Sequence, residues 1–436
     1  MKKIKMFIVT TALVIGILVL TGCNSSKSIV YDDSGDKIGN LSETKLAYLE
    51  VVREEAIEII SEAENCTQED AKKRLNEEKY YIYTFFNDDL YEYIQNTYEE
   101  SGAGQMDFGC SITTIDGKLV AAYSAGNKES NFAVEKNSPY SAIKPISVYA
   151  PYFEKGGIYW SKMYEDSPIK TITHFDGSEE DWPSNANNTY LYEDVPVCQA
   201  IKQSLNTIAV KCLQEYGVRE SIGYMEENFG INLEYEKAKL NTQGESEVLG
   251  NIALGYLEEG VSTVDMAGYY QVFANGGKYQ KPKTILRIDK EGGETVYEFS
   301  GKMKQVVSEE TAHILNRLLQ EVVDVGGTGF VDTNISVDIG GKTGTGPEGN
   351  WFVGFSPEYC AAVWHGTQSS ENIAATIFSD LYSKMDLDDT KEFPYSKSVE
   401  QKLYCEDSGQ LMSGSCKKLG YGYYISNEYP SKCESH

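Results

Sequence analysis

A chain of 436 residues, 41% of them hydrophobic, has material for two or three domains with a sizeable core and is far from a disordered composition. Its formal net charge is −27, and about −30 (−27 minus 3) once the three lysines at the extreme N-terminus are removed, which argues against nucleic acid and against direct adsorption to anionic lipid.

Residues 1–22 open "MKKIKMFIVTTALVIGILVLTG": a basic start, an apolar run from Met6 to Leu20, then small residues. That order predicts a secretory signal, and the run is short for a membrane span and lacks a basic stop-transfer flank. Leu20–Cys23, "LTGC", resembles a bacterial lipobox, which implies cleavage before Cys23, lipidation of its thiol and an extracytoplasmic protein tethered to the cell membrane. Eight cysteines remain after Cys23, an even number in a compartment where disulfides persist, and Cys405, Cys416 and Cys433 crowd the C-terminal tail as if to staple it. No C-x-x-C occurs, and His174, His313, His365 and His436 are scattered, so no metal and no cofactor is expected.

Residues 23–40 are polar and glycine-containing and predict a flexible tether. From 41 to 106 the pattern is helical: Leu46, Leu49, Val52, Ala56, Ile59, Ile60 and Ala63 fall at helical spacing, and Thr67–Asp70 resembles a capping box. Near Asp107 the period changes to two, with alternating runs around Asp116–Gly117 that predict a hairpin. Helices then run from about Ser141 to Asn275, a second hairpin follows within 278–299, and a helix around 308–324 precedes "GGKTGTG" and the strands "NWFVGFSP" and "YCAAVWHG". A hairpin first, helices in the middle and strands last predict an α+β domain over 107–385, with a mixed sheet assembled from both ends of the domain and flanked by helices. Residues 386–436 form a cysteine-bearing tail.

Ser141 and Lys144 stand three residues apart, which on a helix brings a nucleophile and a base to one face. S-x-x-K also occurs at Ser42, Ser167 and Ser415, but only Ser141 opens a long apolar stretch, with Pro145 in its first turn and Pro151 as a predicted kink. Ser204 and Asn206 flank a leucine, offering a proton-relaying hydroxyl and an amide for a substrate. Lys342-Thr343-Gly344 offers a cation, a hydroxyl and bare backbone to a ligand lying beside a strand. Each pattern is weak alone; in this chain order the three form a set known from acyl-serine enzymes.

At these residues the sequence resembles the transpeptidase domain of penicillin-binding proteins, most closely the bifunctional high-molecular-weight class. "SAIKP", "QSLNTIAVKCLQEYG", "LGNIALGYLEEGVSTVDMAGYYQVFANGG", "GGKTGTG" and "NWFVGFSPEYCAAVWHG" are similar to that domain's segments in the same order. The resemblance implies a penicillin-binding-protein and serine β-lactamase-like fold with a helical subdomain, preceded here by a small helical region. Two departures stand out: Pro139-Tyr140 precedes the serine where the family has Pro-Gly, and 24–106 is too short for the glycan-polymerising domain. That implies a stand-alone transpeptidase, with a separate glycan polymerase as a potential partner.

Carried over, Ser141 attacks the penultimate D-alanyl carbonyl of a peptidoglycan stem peptide and Lys144 is its base. Ser204 passes a proton to the leaving D-alanine, Asn206 holds the substrate amide, and Lys342 supplies charge. Thr343, Gly344 and Thr345 bind the terminal carboxylate region, the amides of Ser141 and Thr345 form the oxyanion hole, and β-lactams acylate the same serine. A D,D-carboxypeptidase or β-lactamase shares these motifs and differs in using water as acceptor. A penicillin-binding sensor that no longer turns over is a further alternative.

Overall fold

In a computed structural model, residues 28–38, 46–102, 106–174, 176–331, 337–367 and 372–434 are described. The alternating runs on either side of Asp116–Gly117 form antiparallel strands, Phe108–Thr114 and Leu119–Ala125, closed by Gly117 at φ +86°. They are joined by strands from the far end of the domain, giving the order Gly340–Gly346, Gly349–Phe355, Tyr359–His365, Phe108–Thr114, Leu119–Ala125. The sheet is assembled from both ends of the domain, but every pair in it is antiparallel, where a mixed sheet was expected. All seven residues of Gly349–Phe355 are buried, because the sheet is covered on both faces. The helices Leu46–Ala63, Asp88–Glu100 and Ile373–Lys384 cover one face, and Thr263–Tyr269 and Glu309–Val323 pack on the other.

The strand Gly340–Gly346 is an edge of that sheet, and its free side faces the segment that carries Ser141. Beyond it lies a helical subdomain of Asn206–Tyr216, Val218–Phe229, Glu234–Gln243 and Leu249–Leu254, whose buried Ile208, Leu213, Met225 and Ile252 form one core with Ile146 and Val148. A segment buried between sheet and subdomain is held from both sides.

The N-terminal region departs from the expected pattern in two places. Ile29–Tyr31, read from composition as tether, is a strand paired in parallel with Tyr80–Thr84. Tyr80–Thr84 lies inside the stretch expected to be helical, yet Tyr80, Ile82 and Thr84 are buried and Tyr81 and Tyr83 are not, a period of two. Ile285–Lys290 and Thr295–Glu298 form the second hairpin and complete this sheet. Met1–Gly22 and Cys23 lie outside the described residues; within those residues no helix is long and apolar enough to cross a membrane.

The tail forms the hairpin Val399–Cys405 and Leu419–Ile425, which docks on the domain through Ser161. The Ser161 hydroxyl donates to Gly409 O at 2.5 Å and lies 2.8 Å from the Tyr424 hydroxyl. The expected disulfide framework is not formed: no disulfide joins any of Cys66, Cys110, Cys198, Cys212, Cys360, Cys405, Cys416 and Cys433. Cys110, Cys212 and Cys360 sit within the apolar cores, where a thiol packs as a small hydrophobic side chain.

Glu55 fastens the N-terminal helix to the second hairpin. Its buried carboxylate accepts both the backbone N–H and the hydroxyl of Thr284 at 2.6 Å. Glu55→Ala strands that buried N–H, so urea unfolding should show a loss of about 1–3 kcal/mol; a change under a few tenths would show that the contact contributes nothing.

Candidate active site

Ser141 does not open a long α-helix. Tyr140–Ile143 is a 3₁₀ turn, Pro145–Tyr149 a π-turn, and Ala150–Glu154 a single α-turn. In a 3₁₀ turn side chains at i and i+3 eclipse, so Ser141 and Lys144 are brought closer to register than an ideal α-helix would bring them. Pro151, expected as a kink, falls at the second position of the α-turn, where the change of winding removes the need for its missing N–H. The Tyr270 hydroxyl donates to Ala142 O at 2.6 Å and fixes the turn from below.

Ser204 sits at φ +57° just after the helix Val197–Lys202, and Leu205 N donates back to Ala200 O at 2.9 Å. This left-handed termination turns both the carbonyl and the hydroxyl of Ser204 toward the buried lysines. Lys144 Nζ donates to Ser204 O at 3.0 Å and to Asn206 Oδ1 at 2.7 Å, while Lys342 Nζ donates to Ser204 Oγ at 2.8 Å. The three motifs, up to 201 residues apart in sequence (342 minus 141), thus meet around one serine.

Lys144 and Lys342 are both completely buried. Burial first, and then repulsion from Lys342, hold the Lys144 amine well below the usual lysine range. Burial alone pushes Lys342 down to about 7. A neutral amine has two N–H donors and one lone pair. Lys144 gives both donors to Ser204 O and Asn206 Oδ1, so in its neutral form the lone pair is left for an acidic hydrogen nearby.

On the edge strand, Lys342, Gly344 and Gly346 share the face turned to the segment that carries Ser141, because side chains alternate. A side chain at Gly344 would fall 2.4 Å from Pro139 O, and one at Gly346 would fall 2.1 Å from the Tyr140 ring. These two glycines therefore make room first for the protein's own serine turn, not for a ligand as expected. Of the two threonines, Thr343 is 7% exposed and its hydroxyl donates to Thr328 Oγ1 at 3.2 Å, whereas Thr345 is exposed.

Tyr140, in the place where a glycine was expected, has φ +49°. Its N–H donates to Gly255 O at 3.1 Å, its hydroxyl accepts from Glu348 N at 3.2 Å, and its ring meets the exposed Tyr256 edge-on at 5.4 Å. Those contacts hold a conformation that a bulky residue rarely adopts. Of the other S-x-x-K serines, Ser42 lies outside the described residues, Ser167 is engaged by Glu165 and Lys211, and Ser415 is exposed in the tail.

Sequence reasoning missed the residues that hold Asn206. Asn185 Oδ1 accepts from Asn206 N at 2.7 Å and Thr207 N at 3.3 Å, capping their helix from a distant loop. Buried Asp166 accepts from Asn185 Nδ2 at 2.7 Å and Thr207 Oγ1 at 2.5 Å, and Ser184 O accepts from Asn206 Nδ2 at 2.7 Å. No local pattern marks Asp166 or Asn185; the only signal is that the helix beginning at Asn206 lacks a capping side chain at Leu205.

A family model described as the penicillin binding protein transpeptidase domain matches residues 112–383. Penicillin-binding protein 1A of Clostridium botulinum is 29% identical over 342 residues, covering 73% of this chain and 40% of that protein. Penicillin-binding protein 4 of Bacillus subtilis is 32% identical over 237 residues, covering 54% and 35%. The chain thus spans about two fifths or less of the length of these curated relatives. Among solved structures, the D,D-transpeptidase domain of a peptidoglycan glycosyltransferase from Eggerthella lenta superposes with a TM-score of 0.61 at 18% identity, covering 83% of this chain and 98% of that one. PonA1 from Mycobacterium tuberculosis in complex with penicillin V gives 0.64 at 17%, covering 80% and 96%. At such identities the likeness is one of fold, and it agrees with the family match, which spans more than half of the sequence: the chain belongs to the penicillin-binding protein transpeptidase family.

Proposed function

We propose that the protein is a D,D-transpeptidase that cross-links peptidoglycan stem peptides through an acyl-Ser141 intermediate, and that penicillins acylate the same serine. The observation that carries this reading is the Lys144 amine, buried, repelled by Lys342, and with both donors of its neutral form already spent. Both effects weaken the amine's hold on a proton, which is what a general base working near neutral pH needs.

Ser141 Oγ adds to the penultimate D-alanyl carbonyl carbon as Lys144 takes its proton. The resulting oxyanion is held by the N–H groups of Ser141 and Thr345, where one donor is worth roughly 100-fold to 1000-fold in rate. Ser204 Oγ accepts from Lys342 and gives its own proton to the leaving D-alanine amine as the C–N bond breaks, taking in return the proton that Lys144 removed from Ser141. Lys342 sets the positive potential, and Thr345, with Thr343 and the Gly344 backbone beside it, binds the terminal carboxylate. Asn206 holds a substrate amide. The amine of a second stem then attacks the acyl carbon, and the proton it loses passes through Lys144 to Ser141 Oγ as the ester C–O bond breaks and Ser141 is released.

Cys23 carries the lipid in this reading. Only five peptide steps separate it from Ser28, so the anchor would hold the domain within roughly 18 Å of the membrane surface. A glycan polymerase acting on the same strand would be its partner.

Tyr140 favours a second reading, binding without turnover, because its ring lies over Gly346 at the exposed end of the edge strand. Labelling with a fluorescent penicillin, and assay of cross-linked muropeptides, separate the two. Ser141→Ala should abolish labelling; equal labelling of both proteins would sink the assignment, and labelling without cross-linked product would select the binding role. Release of the label within seconds would instead indicate a hydrolase.

The pH profile tests the base. Acylation should rise with pH as Lys144 loses its proton, and affinity for the carboxylate should fall above about pH 7 as Lys342 loses its charge. Lys342→Met removes a repelling cation, so the pKa of Lys144 rises and the acid limb moves to higher pH; an unmoved limb would overturn Lys144 as base. Asn185→Ala should slow acylation roughly 10-fold to 100-fold by loosening Asn206 and through it Lys144, while non-covalent penicillin affinity changes little; an equal loss in both would mark Asn185 as merely structural.

A further inference from the structure

Three sulfurs converge at the open end of the tail hairpin. Cys405 closes the strand Val399–Cys405, Cys416 lies in the turn that follows, and Cys433 arrives from the final segment, yet their Sγ atoms all lie within 4.8 Å of one another. Among the described residues this is the one group of three or more His, Cys, Asp or Glu side chains able to share a metal ion.

Backbone pairing builds the triangle. Cys433 N donates to Leu411 O at 2.8 Å, Leu411 N to Ser431 O at 2.9 Å, and Cys405 N to Gln410 O at 2.8 Å, so three separate stretches of chain are locked side by side. The Ser413 N–H donates to Cys416 Sγ at 3.4 Å, and the Ser413 hydroxyl lies at the same distance. Donors turned toward a sulfur favour its thiolate, as the outer hydrogen bonds of metal–thiolate sites do.

We propose that Cys405, Cys416 and Cys433 bind a zinc ion that pins the tail shut. Zinc bonded to thiolates at roughly 2.3 Å in tetrahedral geometry sets sulfurs roughly 3.8 Å apart, a contraction of about 1 Å or less from the observed triangle. Binding converts three thiols to thiolates, releases three protons and leaves the group with one net negative charge; a further donor fills the fourth position. His436, three residues after Cys433, lies outside the described residues and is not counted in the site. A disulfide would use two of the three sulfurs and strand the third inside the same triangle. The absence of C-x-x-C in the sequence does not weigh against this site, because its ligands are assembled by strand pairing.

The ion would serve stability. The tail is too small to build a core alone and leans on the domain through Ser161 and on Arg317, whose guanidinium stacks 3.9 Å from the Tyr395 ring. Metal binding at such a site adds directly to folding free energy.

The test uses the full chain, purified in detergent without chelator. Elemental analysis should find one zinc per chain, and Co²⁺ added to the anaerobic, reduced, metal-stripped protein should give a near-ultraviolet thiolate-to-cobalt band. Cys405→Ser, Cys416→Ser and Cys433→Ser should each lose that band, whereas Cys66→Ser, altered elsewhere on the surface, should keep it. Because the tail variants could misfold, the unaltered chain supplies a second measurement: its thermal midpoint should fall on metal removal and recover with Zn²⁺. No cobalt band in the reduced chain, an unchanged midpoint on metal removal, or peptide mapping that finds two of these cysteines joined by a disulfide in the freshly isolated protein would overturn the proposal.

Discussion

Two lysines buried side by side at full desolvation are an unstable arrangement unless something holds them and one of them gives up its proton. Ser204 is what holds them, since its carbonyl takes Lys144 and its hydroxyl takes Lys342. Burial and mutual repulsion then act in the same direction on Lys144, so the architecture that hides the pair also lowers that amine's hold on a proton. The left-handed conformation of Ser204, the external cap that Asn185 provides for the next helix, and Asp166 behind Asn185 all follow from the need to keep that one serine in place.

The sheet edge imposes the second constraint. Lys342 reaches Ser204 only if its strand lies against the turn that carries Ser141, and that contact leaves no room for side chains at Gly344 or Gly346. Tyr140 fills the space above Gly346, so the bulky residue before Ser141 and the bare residue across from it are a matched pair. The result is a close-packed contact on the Ser141 side, with Thr345 exposed beyond it.

Much of this was legible along the chain. Hydrophobic period two gave the first hairpin of the central sheet, period 3.6 gave the helix Leu46–Ala63, and motif spacing pointed to Ser141, Lys144, Ser204, Asn206 and Lys342. The misreadings were local signals that tertiary contacts overrode. Ile29–Tyr31 has a polar neighbourhood but gains a strand partner, with Tyr31 stacked on Tyr83 at 5.0 Å. The stretch after Ser141 is apolar enough for a long helix, yet Pro145 and Pro151 divide it into turns of three kinds. An even cysteine count suggested disulfides, while burial in apolar cores keeps several of those thiols as packing groups.

The sequence by itself determined which chemical groups are available and in what order: a hydroxyl and an amine one turn apart, a second hydroxyl with an amide, and a lysine on a glycine-rich edge strand. Those are properties of spacing, and spacing is preserved however the chain folds. Only the tertiary structure decided that both lysines lose contact with water, that they meet at Ser204, that Asp166 and Asn185 stand behind Asn206, and that three tail sulfurs lie within one ion's reach. Desolvation and convergence arise from packing between segments as much as 201 positions apart (342 minus 141), and no periodicity in the chain records them.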